Sequence, residues 1–250
     1  MNSSTSTTAP ITYKTENVIK VQHSLIEDRL ASLRDKNTDH TGFRILLEQL
    51  SLFLAVEVTK DLPLIPREIE TPVCKATFSQ LASKNNMTLV PILRAGLGMV
   101  EGFLKVIPEA KVGHIGVARD EETGKLTEYY LKLPKGVEED LVILLDPMLS
   151  TGSSLSHSIS RLYEVYNVKN LVVVCLVAAP KGLSNLTEKF PDLKIYTAAV
   201  DERINEVGYI TPGLGDAGDR INGTFTYDMI RERKEENKQE EKETHNAASC

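Results

Sequence analysis

Apolar and polar positions follow two different periods along the chain. Leu25, Ile26, Leu30 and Leu33 recur at helical spacing and predict a helix over 24–37, opened by a capping box of Ser24 with Glu27. Thr41 precedes a longer apolar stripe from Phe43 to Lys60, closed by Asp61 and Pro63, which predicts a second helix. From residue 88 the texture changes to short β-rich runs at 89–93, 112–118, 141–145, 171–177 and 194–199, separated by amphipathic stretches near 97–107, 153–166 and 181–189. Near-continuous Val, Ile and Leu in the third and fourth runs indicate strands buried on both faces, as in a parallel sheet. Strands alternating with helices imply right-handed crossovers and a doubly wound α/β core of about five parallel strands with flanking helices. Ligands of such sheets bind beyond the carboxyl ends of the strands.

Composition narrows the class. With 250 residues, 41% hydrophobic and 26% charged, the chain has enough material for a sizeable core, and collagen-like, coiled-coil and wholly disordered readings are excluded. The longest apolar run, 171–180, is far short of the roughly 20 residues a membrane helix needs, so no membrane role is expected. Residues 1–17 are expected to form a flexible leader, 18–227 the folded domain, and the charge-dense stretch 228–250 a disordered tail. Cys74, Cys175 and Cys250 fit neither a metal spacing nor a disulfide framework, which suits a cytoplasmic protein. The five histidines are scattered, and none falls in a motif. Net charge is −6, from 29 basic and 35 acidic residues. That balance disfavours nucleic acid as a partner but leaves room for a small anion held by a few arginines.

Three loops at predicted strand ends carry the chemistry. The first, DPMLSTGSS at 146–154, places a carboxylate, Asp146, before a turn of small residues and a helix start at Ser153. Free N–H groups and hydroxyls at a helix N-terminus make a phosphate cradle. A P-loop would need a lysine beside the Ser/Thr, and none is present; a carboxylate there suits a sugar diol. The second, RAGLG at 94–98, sets Arg94 at a strand end, where a guanidinium can fork onto a pyrophosphate. With Gly102 its glycines also form a near miss to a dinucleotide fingerprint. The third, GYITPGLGDAGD at 208–219, is too rich in glycine for helix or strand, and its exposed backbone could read a flat heterocycle.

PILRAGLGM at 91–99, DPMLSTGSS at 146–154 and YITPGLGDAGD at 209–219 together resemble the uracil phosphoribosyltransferases, with RDEET at 119–123 and YTAAVD at 196–201 in support. The resemblance runs from about residue 18 to about 225. It implies a type I phosphoribosyltransferase fold, a parallel-sheet core with a small hood, that makes UMP and diphosphate from uracil and 5-phosphoribosyl 1-diphosphate (PRPP) in pyrimidine salvage. By the same resemblance Asp146, Pro147, Met148, Leu149, Ser150, Thr151, Gly152, Ser153 and Ser154 hold the ribose and 5′-phosphate of PRPP. Arg94 and Arg119 contact its pyrophosphate, and Asp216 also faces it. Uracil is read by Ile210, Gly215, Asp216 and Ala217, largely through backbone atoms. Arg94, Asp146 and Asp216 are the candidate catalytic residues, and either Asp216 or solvent takes the uracil N1 proton. Mg²⁺ is implied as cofactor, held mainly by substrate oxygens rather than a protein cage. GTP as an allosteric activator and a homo-oligomeric state are further implications of the family.

The chain departs from the family pattern at Ser150 and Ser153, which stand where an alanine and a glycine are usual; a positive φ at Ser153 would strain a serine. The stretch 119–134 is expected to be a mobile hairpin that keeps water from activated PRPP. Two competing readings are a nicotinamide-dependent oxidoreductase built on Gly96, Gly98 and Gly102, and a nonenzymatic RNA-binding regulator, against which the negative charge weighs.

Overall fold

The computed structural model describes residues 13–82, 86–119 and 125–224. The leader up to residue 12, the tip of the 119–134 hairpin at 120–124 and the tail lie outside the described residues. In chain order the elements are β1 (Val18–Lys20), α1 (Ser24–Arg34), α2 (His40–Thr59), β2 (Leu64–Glu70), β3 (Lys75–Leu81), β4 (Met87–Leu93), α3 (Leu97–Val106), β5 (Lys111–Val112), β6 (His114–Arg119), β7 (Leu126–Lys132), β8 (Leu141–Leu145), β9 (Met148–Leu149), α4 (Ser153–Tyr166), β10 (Asn170–Ala178), α5 (Pro180–Lys189), β11 (Lys194–Val200), β12 (Arg203–Ile204), β13 (Ile210–Thr211) and α6 (Ala217–Asn222).

All five predicted runs are strands at the centre of one sheet, ordered β1-β11-β10-β8-β4-β6-β7, with β5 beside β4 and β9 beside β10. The sheet is wider than the five strands expected. Gly113 interrupts the second run, its N–H bonding Leu89 O, so β5 and β6 count separately. Three-residue β1 adds a parallel edge to β11, and β7 folds back antiparallel on β6. The remaining addition, β9, continues the line of β8 along β10: Leu145 pairs with Val174, and Met148 with Val177, in the same register. A separate hairpin of β2 and β3, mostly exposed, was not visible as strands in the apolar pattern because it carries little buried alternation.

The central strands are covered on both sides, as continuous apolar runs require. Val172, Val174 and Leu176 join a core with α1, α2 and α3, while Val173 and Cys175 face the opposite core built on α4 and α5. Cys175 is the small core residue its setting implies, with burial pushing its thiol up to about 12.

Two helix starts differ from the sequence pattern. Helix α1 is capped by the ring of His23, which accepts the Leu25 N–H, so Ser24 is the first helical residue and not the cap. Asp39 caps α2 by accepting the Gly42 N–H at 2.7 Å, two residues before the expected Thr41.

Candidate active site

The three loops converge at the carboxyl ends of β4, β8 and β11. Asp146 follows β8 directly. Its backbone N–H still bonds Val174 O, and Pro147 O accepts from both Leu176 and Val177, so the carboxylate is carried on the sheet ladder itself. The side chain opens toward a cleft and accepts the Met148 N–H at 3.3 Å. Burial pushes the Asp146 carboxyl up to about 7; the Met148 N–H opposes this and the nearby Asp216 carboxylate adds to it.

Beyond Asp146 the chain makes the cradle. Gly152 takes the one positive φ of the turn, +78°, so Ser153 begins α4 with ordinary helical backbone and the strain feared there does not arise. Thr151 and Ser153 hydroxyls meet at 2.9 Å. Asn185 of α5 donates to Thr151 O at 2.9 Å, fixing the turn from behind. A Cβ at Gly182 would overlap Ser150 O, so α5 and the cradle are in direct backbone contact. Ser150 donates to Gly208 O at 2.8 Å and ties the cradle to the 205–209 turn.

These residues enclose a cavity of about 430 Å³ lined by Asp146, Met148, Ser150–Ser154, Leu155 and, from the facing turn, Glu206, Val207 and Gly208. Pro147 and Leu149 do not line it: both are buried, and Leu149 packs into the core beside Gly152. Of this wall Gly208 opens the third loop, whereas Glu206 and Val207 carry no residue type that announces a role.

Arg94 follows the last residue of β4 and bonds Asp219 of α6 at 3.1 Å while remaining more than half exposed. Its neighbouring glycines are packing devices. A Cβ at Gly96 would strike Leu145 O and the Ile92 backbone, one at Gly98 the Leu47 side chain, and one at Gly102 Glu48 O of α2. All three close approaches are to protein, so each glycine has a packing role that needs no cofactor to explain it. Arg119 ends β6 on the same side of the sheet, with its side chain outside the described residues.

The third loop is more structured than its composition suggests. Ile210 pairs with Ile204 in the short β12–β13 ladder, and α6 starts at Ala217. Asp216 caps that helix, accepting the Asp219 N–H at 2.9 Å. Gly213 and Gly215 supply positive φ (+63° and +78°) that lets so short a segment turn twice. Ile210 and Ala217 are buried against the α2 side of the core, and Gly215 and Asp216 border a second cavity of about 460 Å³ beside the α1–α2 turn.

The hairpin expected at 119–134 has its stem in the antiparallel pair β6 and β7. Its stem is fastened to α4 at Glu128, which accepts from Arg161 at 2.9 Å and His157 at 3.1 Å. Burial pushes the Glu128 carboxyl up, but these hydrogen bonds outweigh it and hold the group below the ordinary carboxylate range.

Among the described residues no group of three or more His, Cys, Asp or Glu forms a metal cage, and no helix is long and apolar enough to cross a membrane.

Comparison with known proteins gives one consistent result. A family model described as uracil phosphoribosyltransferase matches residues 20–224. A uracil phosphoribosyltransferase of Clostridium botulinum (strain Eklund 17B / Type B) is 51% identical over 207 residues, covering 83% of this chain and 98% of that protein. One of Bacillus thuringiensis (strain Al Hakam) is 52% identical over 202 residues, covering 81% and 96%. Among solved structures, the AQ2163 protein from Aquifex aeolicus matches with a TM-score of 0.78 at 38% identity, over 84% of this chain and all of that one.

Proposed function

The chain belongs to the uracil phosphoribosyltransferase family and joins uracil to PRPP, giving UMP and diphosphate in pyrimidine salvage; on that premise we propose the following roles for its residues. The cradle at 146–154 takes the ribose and 5′-phosphate. The observation that carries this is the cavity in which the α4 N-terminus, four hydroxyl-bearing residues and the Asp146 carboxylate line one space. Asp146 accepts from the ribose hydroxyls, and its raised pKa supports a site that becomes ionised as donors or cations arrive.

In the reaction the C1–O bond to pyrophosphate breaks and a bond from uracil N1 to C1 forms. Arg94, exposed at the strand end, and Arg119 bind the departing pyrophosphate, Arg94 by a planar fork. Ile210, Gly215 and Ala217 read uracil through main-chain atoms. Asp216, within electrostatic reach of Asp146, faces PRPP and takes the N1 proton. Positioning of the two substrates, rather than a protein nucleophile, supplies the rate.

Mg²⁺ fits this donor set. Asp146 and Asp216 are hard oxygen donors whose mutual repulsion a cation relieves, and two carboxylates suit an ion held chiefly by substrate oxygens. When bound, it would neutralise charge on the pyrophosphate. A cytoplasmic location, a homo-oligomeric state and activation by GTP belong to the same proposal, as do the domain limits 18–227.

The test is UMP formation assayed with uracil, cytosine, hypoxanthine and orotate in parallel, with and without GTP and with Mg²⁺ chelated. Backbone groups have fixed polarity, so cytosine, which exchanges donor and acceptor at two positions, should be rejected by roughly 10⁴ or more. Comparable turnover of cytosine and uracil would show that side chains or water, not this backbone, read the base.

A further inference from the structure

The loop that carries Ile210 and Gly215–Ala217 has only two ladder pairs of its own, between β12 and β13. Beside its buried apolar residues and the α6 cap, three charged side chains hold its turn at 213–214. Arg34, the last residue of α1, forks onto Asp201, with Nη1–Oδ2 and Nη2–Oδ1 both at 2.7 Å. The same Arg34 Nη1 donates to Gly213 O, while Asp201 Oδ2 accepts the Gly213 N–H at 2.7 Å. One ion pair therefore occupies both polar groups of Gly213. Asp201 is itself fixed, its N–H bonding Ala178 O at the end of β10. The pair is withdrawn from water: the Asp201 side chain is 6% exposed and Arg34 21%.

Arg220 of α6 does the same for the next residue. Its Nη1 donates to Leu214 O at 2.8 Å and its Nη2 to Asp35 O and Thr38 O, at 2.6 and 3.3 Å, while the guanidinium lies over the Phe43 ring at 4.5 Å. The donors join the loop to the α1–α2 turn. Thus the Gly213 N–H and C=O and the Leu214 C=O are all committed within the protein.

A heterocycle is read by the direction in which peptide groups point. Rotating one peptide plane exchanges an N–H for a C=O at the base and inverts what that position accepts. We infer that Arg34, Asp201 and Arg220 are positioning residues that set base selectivity, by fixing the peptide planes on the approach to Gly215–Ala217. This rests on the proposal that uracil is read by Ile210 and 215–217. None of the three residues need touch substrate. Their effect is on which base is accepted more than on the fold.

The experiment uses the full chain and compares Asp201→Asn, Arg34→Lys and Arg220→Lys with the parent. It measures kcat/KM for uracil and for cytosine, KM for uracil, and PRPP affinity. Asp201→Asn should raise the uracil KM roughly tenfold or more and lower the uracil-to-cytosine ratio at least about tenfold, with PRPP affinity changed by less than about threefold. Arg34→Lys and Arg220→Lys should shift the ratio in the same direction by less, because lysine keeps the charge but not the fork. They carry the test if Asp201→Asn does not fold.

A further variant, Ala217→Pro, tests the premise separately. It removes one N–H at the first residue of α6, where proline is tolerated. A raised uracil KM in Ala217→Pro together with a collapsed ratio in the clamp variants supports the inference. A raised KM in Ala217→Pro with an unchanged ratio in every clamp variant overturns it and leaves the base site standing. An unchanged uracil KM in Ala217→Pro overturns the base site, and the inference with it.

Discussion

Replacing Asp146 by asparagine should make the ligand-free protein more stable at neutral and alkaline pH while disabling it as an enzyme. The native carboxyl titrates near 7, whereas an unfolded chain releases the same proton near the ordinary value of 3.8. Between those values the folded state holds a proton that the unfolded state has lost. Stability therefore falls as pH rises, by about 1.4 kcal/mol per pH unit for a fully differing group, and stays at its lowered level above the native pKa. About three units of separation set an upper bound of about 4 kcal/mol. The carboxylate keeps the Met148 N–H and opens onto the cleft, so about 2–4 kcal/mol is expected. Asparagine keeps an acceptor oxygen for that N–H and never ionises. For a domain of this size the gain at pH 8 corresponds to a rise of on the order of 5–10 °C in the thermal midpoint, shrinking toward zero near pH 4. Thermal unfolding of both proteins without ligand, from pH 4.5 to 8.5, measures it. UMP formation should fall roughly tenfold to a hundredfold for each charge-assisted ribose hydrogen bond lost. Parallel pH profiles for the two proteins, or an Asn variant less stable at pH 8, would refute the argument that burial of an uncompensated charge defines this site.

Arg94→Lys should lose on the order of 10²–10³ in kcat, since a point charge lacks the planar fork; retention of most activity would exclude bidentate binding of pyrophosphate. Gly182→Ala pushes a methyl group into Ser150 O and should cost about 1–3 kcal/mol with a raised KM for PRPP; an unchanged midpoint would mean that α5 and the cradle move apart freely. Glu128 has a depressed pKa, so its contribution is complete above the unfolded value and is lost as pH falls through the folded one. Glu128→Gln should accordingly lower the midpoint at pH 7 and converge with the parent in acid; a pH-independent difference would show that the Arg161 and His157 contacts are not charge-assisted.

The sheet was legible because its strands are buried on both faces, and continuous Val, Ile and Leu can hardly mean anything else at 141–145 and 171–177. Helix α4 was legible to the residue, since small hydroxyl residues before a 3.6-residue stripe mark a helix start. The peripheral strands were less legible: β1 is three residues long, and the separate hairpin of β2 and β3 is exposed, so none of the three presents an apolar period. The cap of α1 was misplaced because a histidine ring, not the serine one residue later, accepts the free N–H. Glycines near Arg94 resemble a cofactor fingerprint, and only the packed fold shows that each one admits Leu145, Leu47 or Glu48. Asp201 closes the YTAAVD motif at a strand end much as Asp146 follows β8, yet the sequence assigns it no role. Its partners, Arg34 and Gly213, are distant in sequence, and no local pattern records such a meeting.

The two halves of the active site are attached to the molecule by different means. Asp146 and the cradle ride on the β8–β9–β10 ladder, where backbone bonds enforce position whatever the neighbouring side chains are. The base loop has only a two-pair ladder of its own, and its turn at 213–214 is held by side-chain clasps. Inheritance acts on side chains one codon at a time, so the first half is conservative by construction and the second is open to revision. A descendant could acquire a different nucleobase by editing a handful of positions around 201–220 without disturbing the handling of activated ribose. The fold thus separates a fixed chemistry from a replaceable reader, and an engineer seeking new nucleotide products would begin at the reader.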